Sequence, residues 1–180
     1  MNTLVVINGS YHPDGLTTQC LEAISKKLCD KHNLAPVNFF LDDNIRGCAS
    51  CRSDKHSDCV MWCRFEDQFQ TIAHAIQDAK RVLIGTPVYL DFPSPKLLAF
   101  ISRLNCLAEK TNREFFRGRY IHIHANAYVS GTKSTIQVLM SACEMLGFTI
   151  EGRSTTEYIQ KWSDHKIRGG MTQEDACFLS

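Results

Sequence analysis

Small, hydroxyl-bearing and imidazole side chains lie together between residues 9 and 18, directly after an apolar run. Such residues at the start of a helix offer a phosphate backbone N–H groups, side-chain donors and the positive end of the helix dipole. Ser10, Thr17 and Thr18 could each donate to a phosphate oxygen, and His12 could add a charge-assisted hydrogen bond. The alternative is an ordinary turn in which Thr17 caps the helix.

A second candidate segment, residues 85–95, combines three prolines with two aromatic residues. A flat heteroaromatic ring such as a flavin needs a rigid apolar shelf and backbone N–H groups aimed at its polar edge. The prolines stiffen the loop, while Tyr89 and Phe92 supply the shelf. A rigid loop whose aromatic residues face the core is the alternative. A third loop, residues 125–131, carries Asn126 at a similar place after an apolar run.

The elements that must position these loops follow from the apolar pattern. Apolar runs bounded by turn residues predict strands at 4–7, 35–41, 81–85, 120–125 and 148–152. Apolar residues at helical spacing predict helices from Thr17, at 65–79, around 96–104 and at 135–146, with a polar helix at 172–178. This alternation predicts a flavodoxin-like α/β three-layer sandwich with a five-stranded parallel sheet of order 2-1-3-4-5. Ligands bind such a sheet beyond strands one and three, where the first two loops lie.

Length and composition predict one globular domain over residues 1–180, with a cysteine-rich insertion at about 42–63. The net charge of +1 provides no field for binding nucleic acid or a membrane surface. No secretory pattern is present, so we expect a cytoplasmic protein. Gly131-Thr132-Lys133-Ser134 is only a partial match to a P-loop, and ATP or GTP hydrolysis is not expected. His122 and His124 share one face of a strand and predict a buried, hydrogen-bonded pair.

The loops and one helix together resemble the NADPH-dependent FMN reductase family, which overlaps with the iron–sulfur flavoproteins and the multimeric flavodoxin-like quinone reductases. The resemblance spans nearly the whole chain and is carried by residues 5–10, 15–18, 85–89 and 96–103. It implies FMN as cofactor and says less about the substrate.

The family pattern implies specific cofactor contacts in this chain. The phosphate contacts would come from Ser10, His12, Thr17 and Thr18, and Leu16 would be a further cofactor-binding residue of the same loop. His12 lies where the family often has Arg and Leu16 where it often has Asn, so two donors are absent and phosphate affinity could be weaker than typical. The flavin ring would lie on Thr86, Pro87, Val88, Tyr89 and Leu90, with Asn126 closing the site.

The resemblance also implies a change next to Arg103. The family has an Asp where this chain has Ser102, so any ion pair formed by that Asp is lost.

Four clustered cysteines, Cys48, Cys51, Cys59 and Cys63, lie where the iron–sulfur relatives hold a [4Fe–4S] cluster, which needs four thiolates. One expected ligand is missing because Asp54 stands three residues after Cys51, and Cys63 could replace it. Zinc is a second possibility, with His56 completing a site of mixed nitrogen and sulfur ligands. The third interpretation is that the cysteines remain as packing residues without a metal.

The resemblance implies an FMN-dependent NAD(P)H oxidoreductase that passes electrons to a quinone, flavin or other small acceptor. The flavin performs the chemistry, so only Tyr89 is a plausible catalytic side chain. The alternatives are a flavodoxin-like electron carrier, with or without a metal at the cysteines, and a domain that has lost FMN. Relatives are generally homodimers or homotetramers, and candidate contact residues are Trp62, Phe92, Phe115 and Phe116.

Overall fold

The computed structural model describes residues 2–50, 63 and 65–157. Its strands are β1 (Thr3–Asn8), β2 (Ala35–Phe40), β3 (Arg81–Tyr89), β4 (Phe92–Pro93), β5 (Tyr120–Ala127) and β6 (Thr149–Glu157). Its helices are α1 (Leu16–His32), α2 (Gln68–Asp78), α3 (Pro95–Lys110) and α4 (Thr132–Leu146). The polar helix predicted at 172–178 lies outside the described residues.

Five of these strands form one parallel sheet in the order β2-β1-β3-β5-β6. Apart from the labels, this is the predicted order 2-1-3-4-5, and the flavodoxin-like architecture is confirmed. The short strand β4 was not predicted and pairs antiparallel with the end of β3. The last strand continues to Glu157 instead of ending at Gly152. Because all five parallel strands point the same way, the loops that leave them meet at one edge of the sheet.

Helices cover both faces of the sheet, and side chains alternate between them as the pleat requires. Val5 and Ile7 of β1 belong to the larger core cluster, together with residues of α2, α3 and α4. Leu4 and Val6 face the opposite way, into the cluster that α1 forms with the sheet. The sheet is therefore the middle layer of a sandwich.

The largest departure from the sequence prediction lies after Gly85, where a hairpin replaces the expected loop. Strand β3 continues to Tyr89 and turns back through Leu90 and Asp91 into β4. The two turn residues have φ values of 50° and 67°, the positive values that a two-residue type I′ turn needs. Asn-Gly usually marks such turns, and prolines argue against strands, so these residues carry no local signal for a hairpin.

The predicted histidine pair is confirmed on β5. His122 and His124 are buried, and each places one ring nitrogen against the hydroxyl of Ser154. His122 Nε2 lies 3.2 Å from Ser154 Oγ, and His124 Nδ1 lies 3.0 Å from it. Gly152 gives His122 its space, because a Cβ there would lie 2.6 Å from Nδ1. Burial lowers the pKa of each histidine from 6.5 to about 4.

This pair predicts a loss of stability in mild acid. Below pH 6.5 the unfolded chain binds protons that the folded protein does not bind until about pH 4. The free energy of unfolding should therefore have its full value above pH 6.5. It should fall as the pH is lowered towards 4, by up to about 3 kcal/mol per histidine. Urea unfolding across this range measures the slope. His124→Gln should flatten it and the exposed His74→Gln should not, whereas equal slopes in all three proteins would contradict the expectation.

Two of the residues proposed for subunit contact are core residues instead. Phe115 and Phe116 are buried, and the Phe116 ring packs 4.6 Å from that of Phe148, between ring centres. They close the larger cluster within one chain and cannot form an interface. Phe92 is 55% exposed, and Trp62 lies outside the described residues. Within the described chain, no helix is long and apolar enough to cross a membrane.

Candidate functional site

Three loops meet at the carboxyl edge of the parallel sheet. The backbone N–H of Gly9, after β1, donates to the carbonyl of Gly85 in β3 at 2.8 Å. Tyr11 and Tyr89 meet edge to face with ring centres 6.2 Å apart. The loop after β5 joins them through Asn126, whose Oδ1 accepts from the Thr17 hydroxyl at 2.7 Å. The loops after the first and third parallel strands thus converge as the sequence predicts.

The four hydroxyl and imidazole residues of the first loop differ in what they can offer a ligand. Ser10 is buried, and its Oγ accepts from the backbone N–H of His12 and faces the His12 carbonyl at 3.2 Å. The Thr17 hydroxyl already donates its proton to Asn126 Oδ1. Thr18 accepts from Asn8 Nδ2 at 2.8 Å, and its own proton has no acceptor among the described residues. His12 is exposed at the rim. Thr18 is therefore the hydroxyl best able to donate to a phosphate.

Helix α1 adds backbone donors to this loop. It begins after Gly15, whose lack of a side chain leaves the helix without a side-chain cap, and no acidic residue lies in its first turn. Uncapped N–H groups and the dipole of a helix that is 17 residues long favour an anion at this end. The loop from Asn8 to Gly15 and the start of α1, hereafter the phosphate loop, suits a phosphate monoester.

The hairpin of β3 and β4 and the loop after β5 form an apolar rim beside the phosphate loop. They touch each other, since a Cβ on Gly131 would lie 2.9 Å from Val88 and 2.2 Å from Asp91. The rim is defined by exposed apolar residues on both segments: Tyr89 (42%), Leu90 (95%), Phe92 (55%), Tyr128 (79%) and Val129 (60%). Such a set of exposed apolar side chains marks a binding surface more often than a chance feature.

The predicted flavin shelf is accessible only in part. Pro87 and Val88 are half-buried, and Tyr89 and Leu90 are exposed. Thr86 is fully buried. Its Oγ1 donates to the Pro87 carbonyl and accepts from the Ser94 backbone N–H, at 2.9 Å each, and these two hydrogen bonds hold the base of the hairpin. Thr86 therefore supports the shelf from below.

Tyr89 is placed to act as a proton-bearing group. Partial burial and the neighbouring Tyr11 raise the pKa of Tyr89 above its usual value of 10, so its hydroxyl stays protonated at neutral pH. It can donate a hydrogen bond to a ring atom or an acceptor, but it cannot serve as a base.

Two residues that organise the site were missed from the sequence. Asn8 accepts from the backbone N–H of Ser10 at 2.9 Å and holds Thr18, so it sets the shape of the phosphate loop. A polar residue that ends an apolar strand was the signal available for it. Lys96 is buried under Tyr11, and a lysine in an amphipathic helix gives no such signal.

Arg103 keeps a carboxylate partner from a different part of the chain. Ser102, which replaces the family aspartate, accepts from the Cys48 backbone at 3.0 Å. Arg103 is 1% exposed and forms an ion pair with Asp67, the N-cap residue of α2. The guanidinium also lies 4.1 Å from the ring centre of Phe69. The ion pair is thus supplied by Asp67 instead of by a neighbour on α3.

The cysteine cluster is only partly visible. Cys48 and Cys63 are half-buried, and Cys63 precedes α2 without forming part of it. Cys51, Cys59 and His56 lie outside the described residues. Among the described residues, no group of three or more cysteine, histidine or acidic side chains could hold a metal ion. Neither an iron–sulfur cluster nor zinc gains support.

A parallel sheet of this order, with a phosphate loop after its first strand, defines the flavodoxin-like class. The profile of the NADPH-dependent FMN reductase family matches residues 2–156, and the chain belongs to this family. It is therefore an NAD(P)H-dependent flavin oxidoreductase by class. No curated protein sequence matches the chain significantly.

Solved structures agree on the fold. An NADH:FMN oxidoreductase in its apo form superposes with a TM-score of 0.62 at 14% identity, over 87% of this chain and 75% of that one. An azoreductase from Bacillus anthracis str. Sterne gives 0.62 at 11% identity over 88% of both chains. The Trp repressor binding protein from Bacillus subtilis gives 0.59 at 15% identity, over 86% and 84%.

The residues present fit FMN. A phosphate can take the Thr18 hydroxyl and the uncapped N–H groups of α1, while a planar ring can rest on Pro87, Val88 and Tyr89. Bound FMN would accept a hydride, and with it two electrons, from a nicotinamide and would pass the electrons on to an acceptor.

Proposed function

We propose that this chain holds FMN between the phosphate loop and the apolar rim and transfers reducing equivalents from NAD(P)H to a small, uncharged acceptor of the quinone type. The observation that carries the proposal is the convergence of an anion-binding helix end with an exposed apolar surface at one edge of the sheet. The helix end suits the phosphate, and the apolar surface suits flat, weakly polar rings.

The character of the rim favours a small acceptor over a protein partner. Asp91 is the one charged residue of the hairpin turn, and its exposed neighbours on the hairpin, Tyr89, Leu90 and Phe92, are apolar. Electron carriers dock through charged surfaces. An uncharged ring instead binds by burying apolar area, which is favourable by roughly 25 cal/mol per Å². A homodimer or homotetramer remains part of the proposal, with Phe92 the one described candidate that is still exposed.

Spectroscopy tests the proposal directly. The purified protein should contain or take up FMN and show the visible bands of oxidised flavin. Anaerobic NADPH or NADH should bleach those bands, and a neutral quinone should restore them. Protein that neither contains nor binds FMN would refute the proposal. Flavin that a nicotinamide cannot reduce, but a protein reductase can, would favour the electron-carrier alternative.

Leu90 gives a test of the acceptor class. Its φ of 50° disfavours a side chain, and its side chain is 95% exposed on the rim. Leu90→Gly should keep or raise the free energy of unfolding, by up to about 1 kcal/mol, because it relieves the left-handed conformation. It should also lower kcat/KM for a neutral quinone about tenfold, as expected for one lost apolar contact.

Steady-state kinetics with a neutral quinone and with ferricyanide separates the two effects. Leu90→Asn is the matched control, because Asn tolerates the same turn yet presents a polar group, and it should behave like Leu90→Gly. An equal loss with both acceptors would show that Leu90 does not select for apolar rings.

A further inference from the structure

Lys96 is a buried cation beside the phosphate loop. It is the second residue of α3 and only 3% of it is exposed. Lysine is rarely buried, because removing an ammonium from water is unfavourable unless its charge is paired and its protons are hydrogen-bonded. A lysine in this place therefore needs a physical reason.

The contacts of Lys96 join three separate segments. Its Nζ donates to the Leu41 carbonyl at 2.7 Å and to Asp43 Oδ1 at 3.1 Å, in the loop that follows β2. It also lies 4.4 Å from the ring centre of Tyr11 and 4.5 Å from that of Phe40. The ammonium thus connects the start of α3 and the end of β2 with the phosphate loop.

The ion pair with Asp43 does not fully neutralise this cation. The Asp43 side chain is 77% exposed, so water screens its charge, whereas that of Lys96 is 2% exposed. Part of the positive charge therefore remains directed at the aromatic rings. A desolvated cation over an aromatic face is attracted strongly enough that losing the contact is measurable.

We propose that Lys96 is a positioning residue for the FMN phosphate, a role that rests on the proposed function. Tyr11 lies between Ser10 and His12 in the phosphate loop. The cation against its ring therefore holds this loop in position relative to α3 and the end of β2. A loop held in its binding conformation before the ligand arrives gives tighter binding, because less conformational entropy is lost on association. Lys96 reaches the phosphate through Tyr11 and has no described contact with the other phosphate-loop residues.

The test compares FMN with riboflavin, which has the same ring and no phosphate. Dissociation constants come from quenching of flavin fluorescence by apoprotein. Lys96→Met should weaken FMN binding about tenfold, or about 1.4 kcal/mol, and should change riboflavin binding less than about threefold. Lys96→Arg keeps the cation and should recover most of the preference. Lys110→Met, at the exposed end of the same helix, makes the same change in net charge and should leave both constants unchanged.

Three results would overturn the role. FMN and riboflavin weakened equally would mean that Lys96 supports only the shape of the site, and an unchanged FMN constant would mean that it has no role in binding. Wild-type protein that binds riboflavin as tightly as FMN would remove the phosphate site and the inference together while leaving flavin binding intact. If Lys96→Met does not fold, Lys96→Gln keeps a donor for Leu41 without the charge and should show the same loss of preference for FMN.

Discussion

Asp67→Ala is expected to destabilise the protein by roughly 4 kcal/mol, a large part of the 5–15 kcal/mol that folded domains have. Asp67 accepts from Arg103, from the Arg46 backbone at 3.4 Å and from the Phe69 backbone at 3.1 Å. Arg103 is buried, and its Nε and Nη2 have no hydrogen-bond acceptor in the described part of the chain. Removing the carboxylate leaves an uncompensated charge in the core and an uncapped α2.

Urea unfolding with two further variants separates these contributions. Asp67→Asn keeps a good N-cap and removes only the charge, so it should cost less than Asp67→Ala. In the double variant Asp67→Ala with Arg103→Met, the buried charge is gone, and the loss should be smaller than the sum of the two single losses. An Asp67→Ala variant that loses less than about 1 kcal/mol would show that the pair is not what holds α2 to α3.

Thr18→Val should weaken FMN binding by roughly tenfold to a hundredfold, the value of one hydrogen bond to a charged oxygen. The reason is that the two threonine hydroxyls differ in whether they already donate a hydrogen bond. Thr18 accepts from Asn8 and can still donate, whereas Thr17 already donates to Asn126 at 2.7 Å. Thr17→Val should therefore lower stability through the buried Asn126 more than it lowers phosphate affinity.

The measurement is the FMN dissociation constant of each variant, obtained by fluorescence quenching. Thr18→Ser is the matched control, because it keeps the hydroxyl and should stay within about threefold of the wild type. Equal losses in Thr17→Val and Thr18→Val would mean that the Asn126 contact is exchanged for the phosphate on binding. That result would overturn the assignment of Thr18 as the donor.

The strand order and the convergence of the loops could be predicted because both follow from local patterns. Apolar runs such as Leu4 to Ile7 identify buried strands, and the right-handed connection of parallel strands leaves few possible orders. The position of the phosphate loop follows directly, since it leaves the first strand at the switch point of the sheet.

The remaining features depend on contacts between residues far apart in the chain. Nothing near Thr17 indicates that its proton goes to Asn126, and nothing near Arg103 indicates Asp67. The hairpin at Leu90 was missed because its turn residues break the usual preference for Asn and Gly. Phe115 and Phe116 were misplaced because they lie in an irregular segment whose burial is set by Phe148.

Leaving the first turn of α1 without a side-chain cap has a thermodynamic consequence. Among the described residues no side chain caps its first N–H groups, so an anion that binds there stabilises the folded chain, and the free energy of unfolding depends on ligand concentration. By mass action, FMN at a hundred times its dissociation constant would add about 2.7 kcal/mol to the free energy of unfolding. The melting temperature is therefore expected to rise with the FMN concentration at which it is measured.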